Sequence, residues 1–442
     1  MRKIILWLFV IALVVRAIIA ALQIKYGIND GLNFEVSIYG PFNPGLELYH
    51  DFYAYYVIQL EYLAKGLLPY RDFAYSYPPL FLYLLYSFFS IGGQYAASIP
   101  IWLSDAATAP VVYLIARRYA NEKISILASI AYGLSPFFLL YEGYLWYSSQ
   151  PMTFLILLAF YFLTIRRPLF SSVVFALAVL FKQEVIIVLP IFLFWILRYS
   201  KPQLLKSVVI IIAIFVFVSL PFLVISPGGY VSSLSYGMVD SSQLPSSLSN
   251  PLTNSSISSL AASHSSSPTS LVCSTISNTW RSLVCKYGNF TYTDHKAVPS
   301  LALLVSAPFI NTISPWITIL MLAIASYYIY ALRNYERTWM IASGIALMAF
   351  ITLFSLDVHA MYRYYLVPVY GILLCCSEDR FSLILSASAP LLSILLPSGS
   401  IQLLPPVFAF VTLLTRSYLR DLGVADLEEV RSKHEVQVPV RT

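Results

Sequence analysis

Residues 205–225 read LKSVVIIIAIFVFVSLPFLVI. Past Lys206 the stretch has no charge, and at about 1.5 Å per residue a helix of this length matches the roughly 30 Å hydrocarbon core of a bilayer. Working outward, the pattern recurs. Apolar runs occupy 4–22 and lie near 95–116, 124–141, 151–165, 169–183, 184–198, 314–332, 339–356, 365–376, 381–396 and 401–415. Of 442 residues, 59% are hydrophobic and 11% charged, whereas soluble domains carry about 25% charged residues. The mean hydropathy is +0.75. A water-soluble fold could not hide so much apolar surface, so the bilayer must act as solvent. The runs are continuously apolar rather than alternating, which favours helices over a barrel. The reading is an all-α, polytopic integral membrane protein of about 12 transmembrane helices. Several runs fall short of a straight span, and 169–198 admits more than one count.

The net charge of +6 does not point to nucleic acid, because the basic residues sit at helix ends. Arg117, Arg118 and Lys123; Arg166 and Arg167; Arg198, Lys201 and Lys206; Arg333 and Arg337; Arg380; and Arg416 and Arg420 fall at every second connection. Met1-Arg2-Lys3 precedes the first run, which reads as a membrane helix entering from the cytoplasm. With that start, every basic turn is cytoplasmic, as the positive-inside bias requires, and so are both termini. Counting PPLFLYLLYSFFSI, Pro78 to Ile91, as a span would invert this register. It is therefore expected to lie along or dip into the outer surface. The chain then divides into an N-terminal membrane module, 1–225, with a long first outer loop, 23–94; a Ser-rich outer loop, 226–300; C-terminal membrane helices, 301–415; and a cytoplasmic tail, 416–442. The location is a cell membrane or the endoplasmic reticulum.

The four cysteines add little. Cys375 and Cys376 sit in an apolar run and read as buried thiols. Cys273 and Cys285 flank a polar stretch and would pair only in an oxidising space. The histidines have no metal-ligand spacing, so neither a metal nor a cofactor is expected.

Chemistry-bearing residues concentrate in the outer turns. The first loop contains YHDFYAYYVIQLEYLAKGLLPYRDFAYSYPPLFLYLL. Asp51 opens a predicted helix, and Gly66, Pro69 and Pro78-Pro79 break the loop into short elements that would let Asp51 and Asp72 face one cavity. A carboxylate there can take a proton from an attacking hydroxyl. It can equally be a helix N-cap. Asp72 follows Arg71 and reads as a turn residue or surface ion pair as readily as a site residue.

The elements Asp51-Phe-Tyr-Ala-Tyr-Tyr, Lys65 to Phe73 (KGLLPYRDF) and Tyr77-Pro78-Pro79-Leu80 resemble the first luminal loop of GT-C glycosyltransferases, in particular the polyprenyl-phosphate-mannose-dependent mannosyltransferases. The motif match covers about residues 48–85. The resemblance implies a multi-span core, an outward-facing site, Asp51 as catalytic base and a lipid-linked sugar phosphate as donor. In the second outer turn, YEGYLWYSSQ, Glu142 stands where the resemblance leads one to expect an Asp, and Gln150 closes the turn. The third turn carries Lys182, paired either with a lipid phosphate or with Glu184. A fourth, DVHAMYRYYLVP, places His359 and Arg363 one helical turn apart, suited to a phosphate or to interfacial snorkelling.

The resulting expectation is an inverting hexosyltransferase using a polyprenyl-phosphate donor and a lipid-linked glycan acceptor. Asp51 is its base, Arg363, Lys182 and His359 hold donor phosphate, and Asp72, Tyr55, Tyr77, Glu142, Trp146 and Gln150 contact substrate. Its partners are these substrates and membrane lipids. A transporter or flippase of lipid-linked or polar substrates is the second reading. A scaffold subunit with a degenerate site is the third.

Overall fold

The computed structural model describes residues 1–26, 36–40, 43–48, 52–73, 75, 77–147, 149–199, 201–234, 336–354, 359–395 and 404–416. Asp51, the stretch 235–335, which includes Cys273 and Cys285, and the tail beyond 416 lie outside them. Apart from one hairpin, the described elements are helical. Helix α1 (Arg2–Tyr26) leads to strands β1 (Val36–Gly40) and β2 (Asn43–Leu48), which pair antiparallel with Val36 opposite Leu48. A π-helical turn (Phe52–Val57) continues into α2 (Ile58–Ala64). Next come α3 (Pro79–Ala97), α4 (Ile99–Ala116), α5 (Glu122–Leu134) and the one-turn α6 (Pro136–Phe138), which runs into a second π turn (Leu139–Tyr144). Helices α7 (Ser149–Thr164) and α8 (Pro168–Phe181) follow. A 3-10 segment (Gln183–Val188) then leads to α9 (Leu189–Tyr199), α10 (Lys201–Ile225) and α11 (Pro227–Leu234). Beyond the gap lie α12 (Glu336–Phe354), α13 (His359–Cys375), α14 (Arg380–Leu395) and α15 (Leu404–Arg416).

Among the described residues, five helical segments are long and apolar enough to cross a membrane, with shorter apolar helices beside them. Their outward side chains are apolar too: Phe217 is 79% exposed and Val224 74%. In water such faces would be costly, whereas lipid accepts them. The chain is an integral membrane protein.

Two contacts orient the first helices. A Cβ on Gly133 would stand 3.9 Å from that of Ala109 and 4.0 Å from that of Ala12. One turn on, Arg16 meets Asp105 at 2.8 Å. Going from residue 12 to 16 along α1 thus means going back from 109 to 105 along α4, so the two helices are antiparallel. Small residues let them approach closely. Helix α1 therefore ends where α4 begins, and everything between starts and finishes at that end of the bundle. Helix α3 is included: it opens beside Lys182 and closes into α4, although length and composition alone would let it span. Proline at its start favours the first turn. Gly92 (φ −144°) and Gly93 (φ +66°, ψ −157°) break it near its end; the second conformation is accessible essentially only to glycine. Phe81, Leu82 and Leu85 form its buried stripe.

The basic turns gather at the opposite end. Arg118 donates to the Thr164 carbonyl at 3.2 Å. Asn121 caps α5 by accepting from the Ile124 amide at 3.0 Å. With Lys123, Glu378, Asp379 and Arg380 it lines a cavity of about 270 Å³. Arg337 donates to the Cys376 carbonyl at 2.8 Å and meets Glu378 at 2.6 Å. Arg416 pairs with Asp379 at 2.8 Å. Burial opposes ionisation of Asp379, but bonds from Ser382 and Arg416 outweigh it and hold the carboxyl below its usual range. Cys375 and Cys376 are free and buried, as expected.

Candidate active site

At the end away from the basic turns, side chains from three connecting segments meet. Phe52 is fully buried and sets its ring edge-on to Trp146 of the second turn, with centroids 5.4 Å apart and planes at 86°. Tyr56 stacks on Tyr77 at 6.4 Å and meets Phe81 edge-on at 5.3 Å. The Lys182 ammonium sits 4.8 Å from the centroid of the Tyr77 ring, an electrostatic attraction that strengthens in a desolvated setting. Lys182 follows the last turn of α8 in extended backbone (φ −150°, ψ 121°) and is fully buried.

Glu142 lies in the second π turn and is also fully buried. Its Oε1 accepts from the Ser149 hydroxyl at 2.8 Å, while Oε2 has no hydrogen-bond partner among the described residues. Lys182, Arg16 and Asp105 are its charged neighbours. Single π turns inside helices are frequent at functional sites. Trp146 closes this turn with φ +52°, an uncommon value for a bulky residue.

The first loop is held by its own bonds. Tyr70, at φ +68°, donates its hydroxyl to the Tyr77 carbonyl at 2.5 Å. Its ring packs between Tyr230 at 4.8 Å and Phe222 at 5.3 Å. Its carbonyl accepts from the Ser226 hydroxyl at 3.0 Å. Burial pushes the Tyr70 and Tyr75 phenols well above their ordinary value, so both stay neutral. The Tyr75 hydroxyl is buried without a hydrogen-bond partner among the described residues.

Beneath Glu142 is a network that sequence reading missed. Arg16 donates to Asp105 through Nε at 2.8 Å and Nη2 at 3.3 Å, and through Nη1 to the Gly133 carbonyl. Tyr132 donates to Asp105 Oδ1 at 2.9 Å. The Gln150 amide nitrogen bonds the Tyr132 hydroxyl at 2.6 Å and Thr108 at 2.9 Å. Arg16 and Asp105 are each 0% exposed. The available signal was a lone charge inside each of two apolar runs, since such charges are expensive and find partners.

The remaining expected site residues fall as follows. Tyr77, Trp146, Glu142 and Lys182 come together. Gln150 reaches the same region, but its amide nitrogen is engaged by Tyr132 and Thr108. Asp72 forms the turn: it accepts from Arg71 and from the Leu68 amide at 2.8 Å. The Arg71 bond, then the Leu68 amide, hold its carboxyl below the usual range. These contacts match its turn reading. Tyr55 lies in the first π turn and His359 and Arg363 in the first turns of α13, but their side chains, like Asp51, are outside the described residues. A Cβ on Gly371 would touch Thr153 and Leu157 of α7. Arg363 is eight residues earlier, about 12 Å along the helix, which carries its backbone toward the end away from the basic turns.

The fold and site define a helical membrane protein with a buried ionic and aromatic site under three turns at one end. No family model and no curated protein matches the sequence. Among solved structures, the apo oligosaccharyltransferase of Archaeoglobus fulgidus aligns with TM-score 0.43 and 14% identity, over 93% of this chain and 54% of that one. Its complex with zinc and sulfate gives 0.40 and 13%, over 92% and 53%. The same organism's oligosaccharyltransferase AglB, with an inhibitory peptide and a dolichol-phosphate, gives 0.39 and 15%, over 92% and 56%. The chain spans about half the length of these proteins. At these values the superposition is loose.

Proposed function

We propose that this chain is a GT-C-like membrane glycosyltransferase that moves a hexose, mannose or glucose, from a polyprenyl-phosphate donor to a lipid-linked glycan or similar acceptor. The observation that carries the reading is the meeting of three turns far apart in sequence. Tyr77 of the first lies under Lys182 of the third, and Phe52 of the first lies against Trp146 of the second. Buried charge beside aromatic faces suits a sugar phosphate: rings cover the sugar's apolar face, and the cation answers the phosphate.

In this scheme Asp51, next in the chain to Phe52, takes the acceptor hydroxyl proton. The hydroxyl oxygen bonds the anomeric carbon as the bond to phosphate oxygen breaks, giving inversion. The electron pair leaves on the phosphate, where Lys182 and, from α13, Arg363 and His359 stabilise it. Glu142 holds a substrate hydroxyl with its unengaged oxygen. The positive-inside bias assigns the basic end to the cytoplasm and the site to the outer or luminal face.

A transporter would also bury charge in a membrane core. Sealed vesicles containing the purified protein separate the two. With a polyprenyl-phosphate-linked radiolabelled hexose and a lipid-linked glycan outside, label is expected to become covalently attached to the glycan. Label crossing into the lumen without covalent transfer would favour the transporter.

A further inference from the structure

Arg16 has two carboxylates within electrostatic reach, Asp105 and Glu142, and binds only one. Its stem passes directly beneath the residue after Glu142: a Cβ on Gly143 would lie 3.9 Å from Arg16 Cγ. The guanidinium nevertheless turns to Asp105, using Nε and Nη2, and spends Nη1 on the Gly133 carbonyl. Asp105 is prepared for it. Tyr132 donates to its Oδ1 and is itself fixed by Gln150, so the carboxylate needs little reordering to accept the fork. Glu142 is left with Ser149 on one oxygen and no partner among the described residues on the other.

We propose that Asp105 is a positioning residue that occupies Arg16 and so keeps the Glu142 carboxylate available to substrate. Arginine is well matched to carboxylates, and without Asp105 its nearest anionic partner is Glu142. The pair would engage the oxygen that Ser149 leaves without a partner among the described residues. The inference rests on the reading of Glu142 as a substrate-contacting group. It assigns the buried ion pair a purpose beyond joining helices, which packed apolar residues accomplish equally well.

The test measures kcat for sugar transfer per folded molecule, with folding judged by a monodisperse peak and cooperative melting in detergent. Asp105→Asn is expected to lower kcat about as far as Glu142→Gln does, by tenfold or more. Combining the two should lose little beyond either alone, because both disable one oxygen. Arg16→Gln added to Asp105→Asn frees Glu142 again and should return kcat to within about threefold of the unaltered protein. A purely structural pair gives a different pattern: Asp105→Asn lowers the melting temperature while kcat per folded molecule holds, or its loss multiplies with that of Glu142→Gln. Either result overturns the proposal. Should Asp105→Asn leave no monodisperse peak, the neutral pair Arg16→Gln with Asp105→Asn decides: kcat near that of the unaltered protein supports the proposal, and kcat as low as in Glu142→Gln overturns it. Full activity of Glu142→Gln itself would instead remove the reading of Glu142, and this inference with it.

Discussion

Asp51→Asn is expected to lower kcat for sugar transfer by about 10²–10⁴-fold, the usual contribution of a positioned general base. Melting temperature should barely move. The substitution is informative because the competing role, a cap on the helix that follows, is filled equally well by asparagine. A cap would therefore survive the change, and a base would not. Its neighbour in the chain is the reason for choosing it: Phe52, the next residue, is fully buried against Trp146. Steady-state kinetics with a polyprenyl-phosphate sugar check it, and kcat within about threefold of the unaltered protein would move the base elsewhere.

Gly229→Ala is expected to be the most damaging change outside the ionic cluster. A Cβ at this position would fall inside contact distance of the Tyr70 carbonyl oxygen and 2.6 Å from the Ser226 hydroxyl. Neither neighbour can give way freely. Tyr70 is held at positive φ, its ring is wedged among Phe222, Tyr230 and Tyr75, and its hydroxyl carries the Tyr77 carbonyl. Relief must part α11 from the first loop, at a cost of about 3 kcal/mol, the upper part of the range for overpacking. Tyr77 would move with the loop, away from Lys182, so donor KM should rise together with the loss of stability. Ser226→Ala, which removes only the hydroxyl bond to Tyr70, should cost about 1 kcal/mol. Thermal melts of the two variants check this; equal melting temperatures would mean that the contact is not close.

The parts legible in the sequence were those written locally. Apolar runs announced the membrane helices, and the basic turns correctly shared one end, since Arg118, Arg337, Arg380 and Arg416 all lie there. The register of charges marked α3 as an element that leaves and returns at the same end. Tyr77, Glu142, Trp146 and Lys182 were recognisable because polar and aromatic residues stand out at the ends of apolar runs. What escaped depends on distant pairing. Arg16 and Asp105 are 89 residues apart, and nothing near either names the other. Tyr70 and Ser226, 156 apart, meet only because α10 returns its end to the first loop. The β1–β2 hairpin was missed because the reading of the first loop for regular structure began at Asp51, beyond both strands. Asp72 was ambiguous for the opposite reason: a carboxylate after an arginine serves a turn or a site equally well until its bonds are seen.

We propose that the three turns form one site for covalent sugar transfer from a polyprenyl phosphate. Mass spectrometry of lipid-linked glycans from cells with the protein, without it, and with Lys182→Met in its place tests this most directly. One hexose is expected to be missing at a defined position when the protein is absent, with the same deficit when Lys182→Met is expressed at normal level. An unchanged glycan profile in its absence would mean that the three turns do not carry out this transfer.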